Sequence, residues 1–298
     1  MKKVIGGRLR SNGRYAPILE EKPRCWRLNY AGEFHLDITP SIKNPGCPAG
    51  GELVPDKKLQ EWKPSNPKGF KALFDLRAAL QPRIGMRKAA AAMDRAMEEV
   101  APFPEQARLK GVLRRTVQLA KRHRDVYFET DKTGSAPISI IITTLAARSY
   151  EHCVQQFEYD TEFDLLSDIV RLMPNFIETR EVRGGCIEWY VWNETTAGEN
   201  FAEKWNAKPQ LAAAFFDWHT RFLAQTEAVA SAAGLDALTK SLSAGFGSSP
   251  VKMAFDQMTK EVSAARTQGK LVLLPSVGLM SGVDGGTAVR RNTFFGAD

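Results

Sequence analysis

Apolar and polar residues alternate between positions 26 and 39, with the period of two that is typical of a β-strand. The alternation forms two runs, RCWRLNY and EFHLDIT, on either side of Ala31-Gly32. A short glycine-containing break between two alternating runs favours a tight turn. This segment is therefore predicted to form a β-hairpin.

The second run of the hairpin carries one acid, Asp37, between apolar neighbours. Successive side chains of a strand point to opposite faces, so Phe34, Leu36 and Ile38 share one face and Asp37 lies on the other. We expect the aliphatic face to be buried and Asp37 to point away from it. The spacing leaves two interpretations open: a satisfied surface acid, or one ligand of a metal ion.

Prolines and glycines interrupt the pattern after the hairpin and predict a loop up to about Pro67. From Phe70 onward the apolar residues recur every three or four positions, which is typical of helices. The chain is therefore expected to divide into a sheet-containing part, residues 1–66, and a mostly helical part, residues 67–298. This combination indicates an α+β fold.

The helical part contains several recognisable segments. Residues 106–128 predict a helix with one apolar and one strongly cationic face, and APISIIITTLAARSYEHCVQQF predicts a buried helix with Pro137 just inside its start. Thr161 and Asp164 have the spacing of a capping box at the start of the next helix. Further helices are expected over about 200–233 and 250–267.

Two β elements are expected within or after these helices. Residues 178–192 alternate around Gly184-Gly185, which predicts a second, small hairpin. The glycine-rich segment 271–298 is expected to be an extended tail.

Composition narrows the functional class. The chain has 298 residues, 43% of them hydrophobic, but no run of 18 apolar residues and no apolar core of a secretory signal near its start. A cytoplasmic location is therefore expected, with no membrane partner. The four cysteines are far apart and match no zinc or disulfide pattern, so reduced thiols are expected: Cys25, Cys47, Cys153 and Cys186.

Positive charge is concentrated at the start of the chain. The formal net charge is +7, and residues 1–30 alone contain eight Lys or Arg against Glu20 and Glu21. Such a segment suits an anionic partner, either a nucleotide or a nucleic acid. A solvated basic surface would have the same composition, so charge alone leaves this question open.

Five segments in this order resemble the later three quarters of bacterial CD-NTases, the cyclic-oligonucleotide synthases related to cGAS and oligoadenylate synthetase. They are WRLNYAGEFHLDITPSI, LAKRHRDVYF, APISIIITTLAARSYE, VWNETTAGENFAEKW and NTFFG. The resemblance covers nearly the whole chain and implies a polymerase-β-like nucleotidyltransferase core with a helical second lobe. It also implies that NTPs are joined into a cyclic di- or trinucleotide, with release of pyrophosphate, in antiphage signalling.

The same resemblance assigns roles to three residues. Asp37 matches the third metal-binding and catalytic acid, which would bind Mg²⁺ or Mn²⁺ with two other acids. Lys121 is similar to the lysine that reaches the donor triphosphate, although Arg122 and Arg124 are close neighbours. Ser139 is similar to a nucleotide-binding serine at a helix start. From the residues alone, Lys121 is equally well a solvated surface lysine and Ser139 an ordinary helix-start residue.

One departure from the family pattern concerns the other two acids. In the family they follow a Gly-Ser motif, form an Asp-x-Asp pair and precede the third acid, but residues 1–36 contain no Asp. Gly134-Ser135 and Gly247-Ser248 are in the wrong context to replace that motif. We therefore expect an N-terminally truncated core in this chain, with impaired metal binding and catalysis.

Two other functions remain open at this stage. A non-catalytic nucleotide- or RNA-binding protein would retain the same scaffold after losing its acids, although RNA binding is not favoured. A template-independent terminal transferase would give long linear products instead. The implied partners are NTP substrates and a regulatory or effector protein of a defence operon.

Overall fold

The computed structural model describes residues 2–22, 24–30, 34–47, 50–56, 61–85, 111–182, 184–274, 278–281 and 287–289. The helices in these ranges are α1 (Lys2–Arg10), α2 (Pro67–Ala78), α3 (Val112–Tyr127), α4 (Ser139–Gln156), α5 (Glu162–Leu172), α6 (Glu203–Ala207), α7 (Gln210–Ala230), α8 (Leu235–Phe246) and α9 (Ser248–Thr267). The strands are β1 (Leu19–Glu21), β2 (Trp26–Tyr30), β3 (Phe34–Ile38), β4 (Ile42–Lys43), β5 (Glu52–Asp56), β6 (Glu61–Ser65), β7 (Glu178–Val182), β8 (Cys186–Tyr190), β9 (Leu271–Leu274), β10 (Gly278–Ser281) and β11 (Thr287–Ala288).

The chain folds into two compact units. The first contains residues 1–121 and 131–219, and the second contains residues 122–130 and 220–298. The predicted lobe boundary at 66–67 lies inside the first unit and stays a prediction. Helices and small antiparallel sheets make up both units, which confirms the α+β class.

None of the helices in the described ranges is both long and apolar enough to cross a membrane.

The predicted first hairpin is confirmed as β2 and β3, which pair antiparallel and place Leu28 opposite Leu36. Its expected turn, Ala31-Gly32, lies outside the described residues. Strand β1 pairs with the other side of β2, so β3 is an edge strand of the sheet β1-β2-β3. Helix α1 packs on Trp26, where a Cβ added to Gly6 would lie 2.1 Å from the indole ring.

The expected burial of the aliphatic face of β3 is wrong for part of the strand. Phe34 and Leu36 are 59% and 51% exposed, whereas Trp26 and Leu28 on the neighbouring strand are buried. The difference follows from position, because β2 is the central strand and carries the packing with α1, whereas β3 lies at the edge.

The loop predicted up to Pro67 is also wrong, because strands β4, β5 and β6 form a second antiparallel sheet there. The prolines were misleading, since proline cannot donate to a sheet ladder but is tolerated at edges. Strand β4 pairs only with residues 52 and 53, so Pro55 lies beyond its reach. Pro64 lies on β6, an edge strand of this sheet.

The helical predictions are largely confirmed. Helix α4 is buried along most of its length, although it begins at Ser139, two residues after Pro137. The capping box of α5 is present, with the Asp164 amide donating to the Thr161 hydroxyl at 3.1 Å. The long helix expected over 200–233 is interrupted before Gln210, where Pro209 cannot continue the hydrogen bonding of α6.

Several other segments differ from the expected pattern or extend it. The second hairpin is confirmed as β7 and β8, with Gly184 and Gly185 both at positive φ. Helix α8 was not predicted, and part of the expected tail forms the sheet β10-β9-β11. Residues 106–110 and the segment NTFFG lie outside the described residues.

A buried arginine connects distant segments of the first unit. The Arg77 Nε donates to Glu151 at 2.8 Å, and its Nη1 and Nη2 donate to Glu194 at 2.6 and 2.9 Å. The Arg77 side chain is 8% exposed. These hydrogen bonds also hold the pKa of the Glu194 carboxyl below its usual range. Helix α2, helix α4 and the segment after β8 are thus tied together by one guanidinium.

Replacement of Arg77 by methionine is expected to lower the free energy of unfolding by about 3 kcal/mol, because two carboxylates lose their charged partner in a partly buried site. Urea denaturation followed by circular dichroism measures the change. Lys71→Met is the matched control, since the exposed Lys71–Asp75 pair lies on one helix and should matter little. Equal effects of the two substitutions would contradict the prediction.

A buried histidine in the second unit makes stability depend on pH. His123 is 3% exposed, and its ring centroid lies 4.7 Å from that of Phe222. Burial, aided by the nearby positive charge of Arg221, lowers the pKa of His123 from 6.5 to about 4. Between these values the unfolded chain binds a proton that the folded chain does not, so stability falls as the pH is lowered through this window.

His123→Phe is expected to remove up to about 3 kcal/mol of the loss in stability between pH 6.5 and pH 4. Phenylalanine keeps a ring in the same aromatic surroundings but has no proton to bind. Denaturant unfolding of both proteins across this pH range measures the difference in slope. An identical pH dependence in the two proteins would show that folding does not lower the pKa of His123.

Candidate functional site

Asp37 lies on edge strand β3, directly opposite Arg27 on β2. The Arg27 Nε donates to Asp37 Oδ1 at 2.7 Å, and its Nη2 donates to Oδ2 at 2.9 Å. This is the two-pronged geometry in which a guanidinium binds a carboxylate most strongly. The Asp37 side chain is still 38% exposed, so a ligand has access to its oxygens from solvent.

The electrostatic surroundings keep Asp37 ionised. The hydrogen bonds and charge of Arg27 hold the pKa of the Asp37 carboxyl below its usual range, against a smaller opposing effect of burial. Burial, together with the negative charge of Asp37, raises the pKa of the neighbouring Cys25 thiol. Asp37 is therefore a deprotonated oxygen donor at neutral pH, next to a thiol that stays protonated.

An ionised, accessible carboxylate fits the preference of Mg²⁺ and Mn²⁺ for hard oxygen ligands. Both Asp37 oxygens are bonded to Arg27, so a metal ion at this position has to compete with the guanidinium. In the described part of the chain no group of three or more His, Cys, Asp or Glu residues is arranged to hold a metal ion. Asp37 thus suits one position in a metal site, and the described residues do not complete a two-metal site around it.

Lys121 is half-buried on α3. Its basic neighbours Arg122 and Arg124 both contact other groups of the protein. Arg122 Nε donates to the carbonyl of Phe246 at 2.9 Å, and Arg124 Nη2 lies 2.7 Å from Asp125 Oδ1. Both arginines are thus engaged in contacts within the fold. The rest of the cationic face is also largely neutralised, since Arg114 and Arg115 pair with Asp75 and Glu162.

Ser139 is exposed and is the first residue of α4, an 18-residue helix. The preceding residue, Ile138, makes no side-chain hydrogen bond to the helix start. The first amides of a helix carry partial positive charge and suit phosphate oxygens. Ser139 thus adds a hydroxyl to a helix end with the right polarity for a nucleotide.

The three predicted residues lie on three elements of the first unit: Asp37 on β3, Lys121 on α3 and Ser139 on α4. The hydrogen bonds described for the Asp37 side chain run to Arg27. Joint binding of one nucleotide by these residues stays a prediction.

Sequence reasoning missed a cavity beside the start of α4. It is lined by loop residues 133–135, and by Lys204 and Lys208 at the two ends of α6. The sequence suggested Gly134-Ser135 only as a match to the Gly-Ser motif, but this pair lies in a loop rather than on a strand-turn-helix. The two lysines four positions apart were the available signal, but loop and helix are about 70 residues apart in the chain.

Comparison of the sequence with known proteins identifies relatives of this chain. No family model matches the chain. A c-di-GMP synthase of Roseivirga ehrenbergii is 31% identical over 294 residues, which is 97% of this chain and 72% of that protein. The cyclic dinucleotide synthase CdnG of Bradyrhizobium diazoefficiens is 26% identical over 213 residues, which is 67% of this chain and 49% of that protein.

Solved structures show the same fold. CdnG of Bradyrhizobium diazoefficiens in complex with GTP matches with a TM-score of 0.56 and 22% identity, over 81% of this chain and 68% of that one. CdnC of E. coli MS115-1 in complex with HORMA-deltaN matches with a TM-score of 0.53 and 12% identity, over 83% and 70%. The fold and the 31% identical relative together establish that the chain belongs to the bacterial CD-NTase family of nucleotidyltransferases.

Proposed function

We propose that this chain acts in cyclic-oligonucleotide synthesis, in which NTPs are joined into a cyclic di- or trinucleotide and pyrophosphate is released. The observation that carries the proposal is the 31% identity to a c-di-GMP synthase over 97% of the chain. An ionised, accessible Asp37 on an edge strand is consistent with this chemistry.

Asp37 is proposed as the third metal-binding acid. Arg27 keeps its carboxylate deprotonated, which is the form that a hard cation binds. When bound, Mg²⁺ or Mn²⁺ would neutralise triphosphate charge and lower the pKa of the attacking hydroxyl. Arg27 also fixes the carboxylate plane on the exposed edge of the sheet, so the acid is oriented before any ligand arrives.

Lys121 and Ser139 are proposed to bind the donor nucleotide. The Lys121 ammonium, on the long helix α3, is a point charge suited to the triphosphate. The Ser139 hydroxyl donates to a phosphate oxygen next to the positive end of α4. These contacts orient the nucleotide and screen its charge, which lowers the barrier to attack by the acceptor hydroxyl.

The relatives also suggest the substrate and the partner. The 31% identical relative is named for c-di-GMP, and the matching CdnG structure contains GTP, so we propose that GTP is a substrate. The CdnC structure contains a HORMA protein, which supports a regulatory protein partner for this chain as well. Synthesis would take place in the cytoplasm, where NTPs are available, as part of antiphage signalling.

The described residues do not complete a two-metal site around Asp37, so synthesis is expected to require two further acids. Joining a segment with Gly-Ser followed by Asp-x-Asp ahead of residue 1 is expected to give synthesis from four NTPs with Mg²⁺ or Mn²⁺. Mass spectrometry of the products and release of pyrophosphate measure the gain. An inactive extended protein would contradict the proposal.

Asp37→Asn in the active, extended protein is expected to lower the rate at least about 100-fold, because the amide cannot supply the negative charge that holds the metal. Lys121→Gln and Ser139→Ala are expected to raise KM for the donor nucleotide. Asp75→Asn is the matched control, since it makes the same change in an ion-paired acid on α2 whose side chain is equally exposed, at 38%. Full activity of the Asp37 variant would exclude its proposed role.

A further inference from the structure

A cavity of about 620 Å³ opens in the first unit beside the start of α4. This volume is in the range of small-molecule sites. Its walls come from the loop before α4 and from the region of α6 and the first turn of α7. The lining residues are Thr133, Gly134, Ser135, Lys204, Ala207, Lys208, Gln210 and Leu211.

One wall of the cavity is a loop with a fixed backbone. Asp131 Oδ1 accepts the Thr133 amide at 2.8 Å, and its Oδ2 accepts the Ser135 amide at 2.9 Å. Gly134, between them, has φ of +72°, and nothing lies within 4 Å of the position that a Cβ would take. The Ser135 hydroxyl lies 2.5 Å from the Thr133 hydroxyl, which itself donates to Asp131, so it is held within the loop. The loop therefore presents bare backbone to the cavity without needing a ligand to order it.

The opposite wall carries two lysines with no acid between them. Lys204 and Lys208 are one helical turn apart, so their charges repel each other. Neither ammonium has an ion-pair partner among the residues that the structure describes, and the adjacent Glu203 pairs instead with Lys63 at 3.4 Å. An anion between the two lysines would relieve the repulsion.

A smaller recess of about 90 Å³ adjoins the cavity, and the two share Gly134, Ser135, Lys204 and Leu211. The remaining lining of the recess is apolar: Ala136, Pro137, Ile138, Ile141, Phe201 and Trp205. Lys204 thus lies between the larger cavity and a recess of aliphatic and aromatic side chains. A ligand that joins an anionic group to a flat apolar group would match both parts.

We infer that this cavity binds a phosphate-bearing ligand, with Lys204 and Lys208 at the phosphate. Two kinds of molecule would supply such a phosphate group: a free polyphosphate, or a nucleotide whose base enters the apolar recess. The lining residues do not include Asp37, Lys121 or Ser139. The inference therefore does not depend on the proposed function.

The test is titration of the full chain with inorganic triphosphate and, separately, with GTP, in buffer containing EDTA. Binding is measured by calorimetry and by the shift in melting temperature. Both probes are expected to bind the unmodified protein. Lys204→Gln combined with Lys208→Gln is expected to weaken binding at least about tenfold, because two charge-assisted hydrogen bonds are lost. Lys252→Gln combined with Lys260→Gln, which removes the same charge from exposed positions on α9, is expected to have less than about a twofold effect.

The two probes distinguish the two sources of phosphate. If the base enters the recess, GTP is expected to bind about tenfold more tightly than triphosphate, and Leu211→Trp should remove that advantage by filling the recess. Equal affinity for the two probes would identify a free polyphosphate as the ligand. Both results support a phosphate site at the lysine pair.

Three results would overturn the inference. They are absence of binding at about 10 mM of either probe, equal affinity of the Lys204/Lys208 variant and the unmodified protein, and equal weakening in the Lys252/Lys260 control. Metal-free binding lost in Lys121→Gln but retained in the Lys204/Lys208 variant would also overturn it. That last result would place the ligand at the proposed donor site and would leave the proposed function intact.

Discussion

The buried guanidinium of Arg77 is the contact on which the arrangement of the first unit depends. Its bonds to Glu151 and Glu194 join α2, α4 and the segment that follows β8. The same segment is anchored to the second sheet region, where the Asn66 side chain donates to the Thr195 carbonyl at 3.1 Å. Because α4 begins at Ser139 and this segment leads into α6, the same ion pairs position the proposed nucleotide residue and the lysine cavity.

Asp37 shows how a neighbouring charge prepares a carboxylate. Arg27 lowers the pKa of the Asp37 carboxyl and fixes its orientation, but it also occupies both oxygens. A single divalent cation has to displace at least part of this pair. Metal binding at Asp37 therefore gains from the low pKa and loses from the competing guanidinium, and further acids would shift that balance towards the metal.

The sequence was sufficient for features set by local spacing, such as the two hairpins and the Thr161–Asp164 capping box. It was misleading where long-range packing decides the outcome. Prolines concealed strands β4–β6, whose pairing tolerates them at edges, and alternation alone could not show that the apolar side of β3 would be exposed. The partners of Arg77 are 74 and 117 positions away, beyond any periodic pattern. Asp37, Lys121 and Ser139 came from family resemblance, whereas the cavity needed the fold.

The structure also changes the interpretation of the basic N-terminal segment. Lys2 and Arg10 both lie 3.6 Å from Glu21, Arg24 lies 2.8 Å from Asp56, and Arg27 is bonded to Asp37. Much of the positive charge that suggested nucleic-acid binding is therefore compensated by nearby carboxylates, and a polyanion would have to compete with them. Lys204 and Lys208 carry less charge in total, but neither has an acid as its ion-pair partner in the described ranges. Anion binding depends on uncompensated charge, which favours a small phosphate ligand at the cavity over RNA at the N-terminal segment.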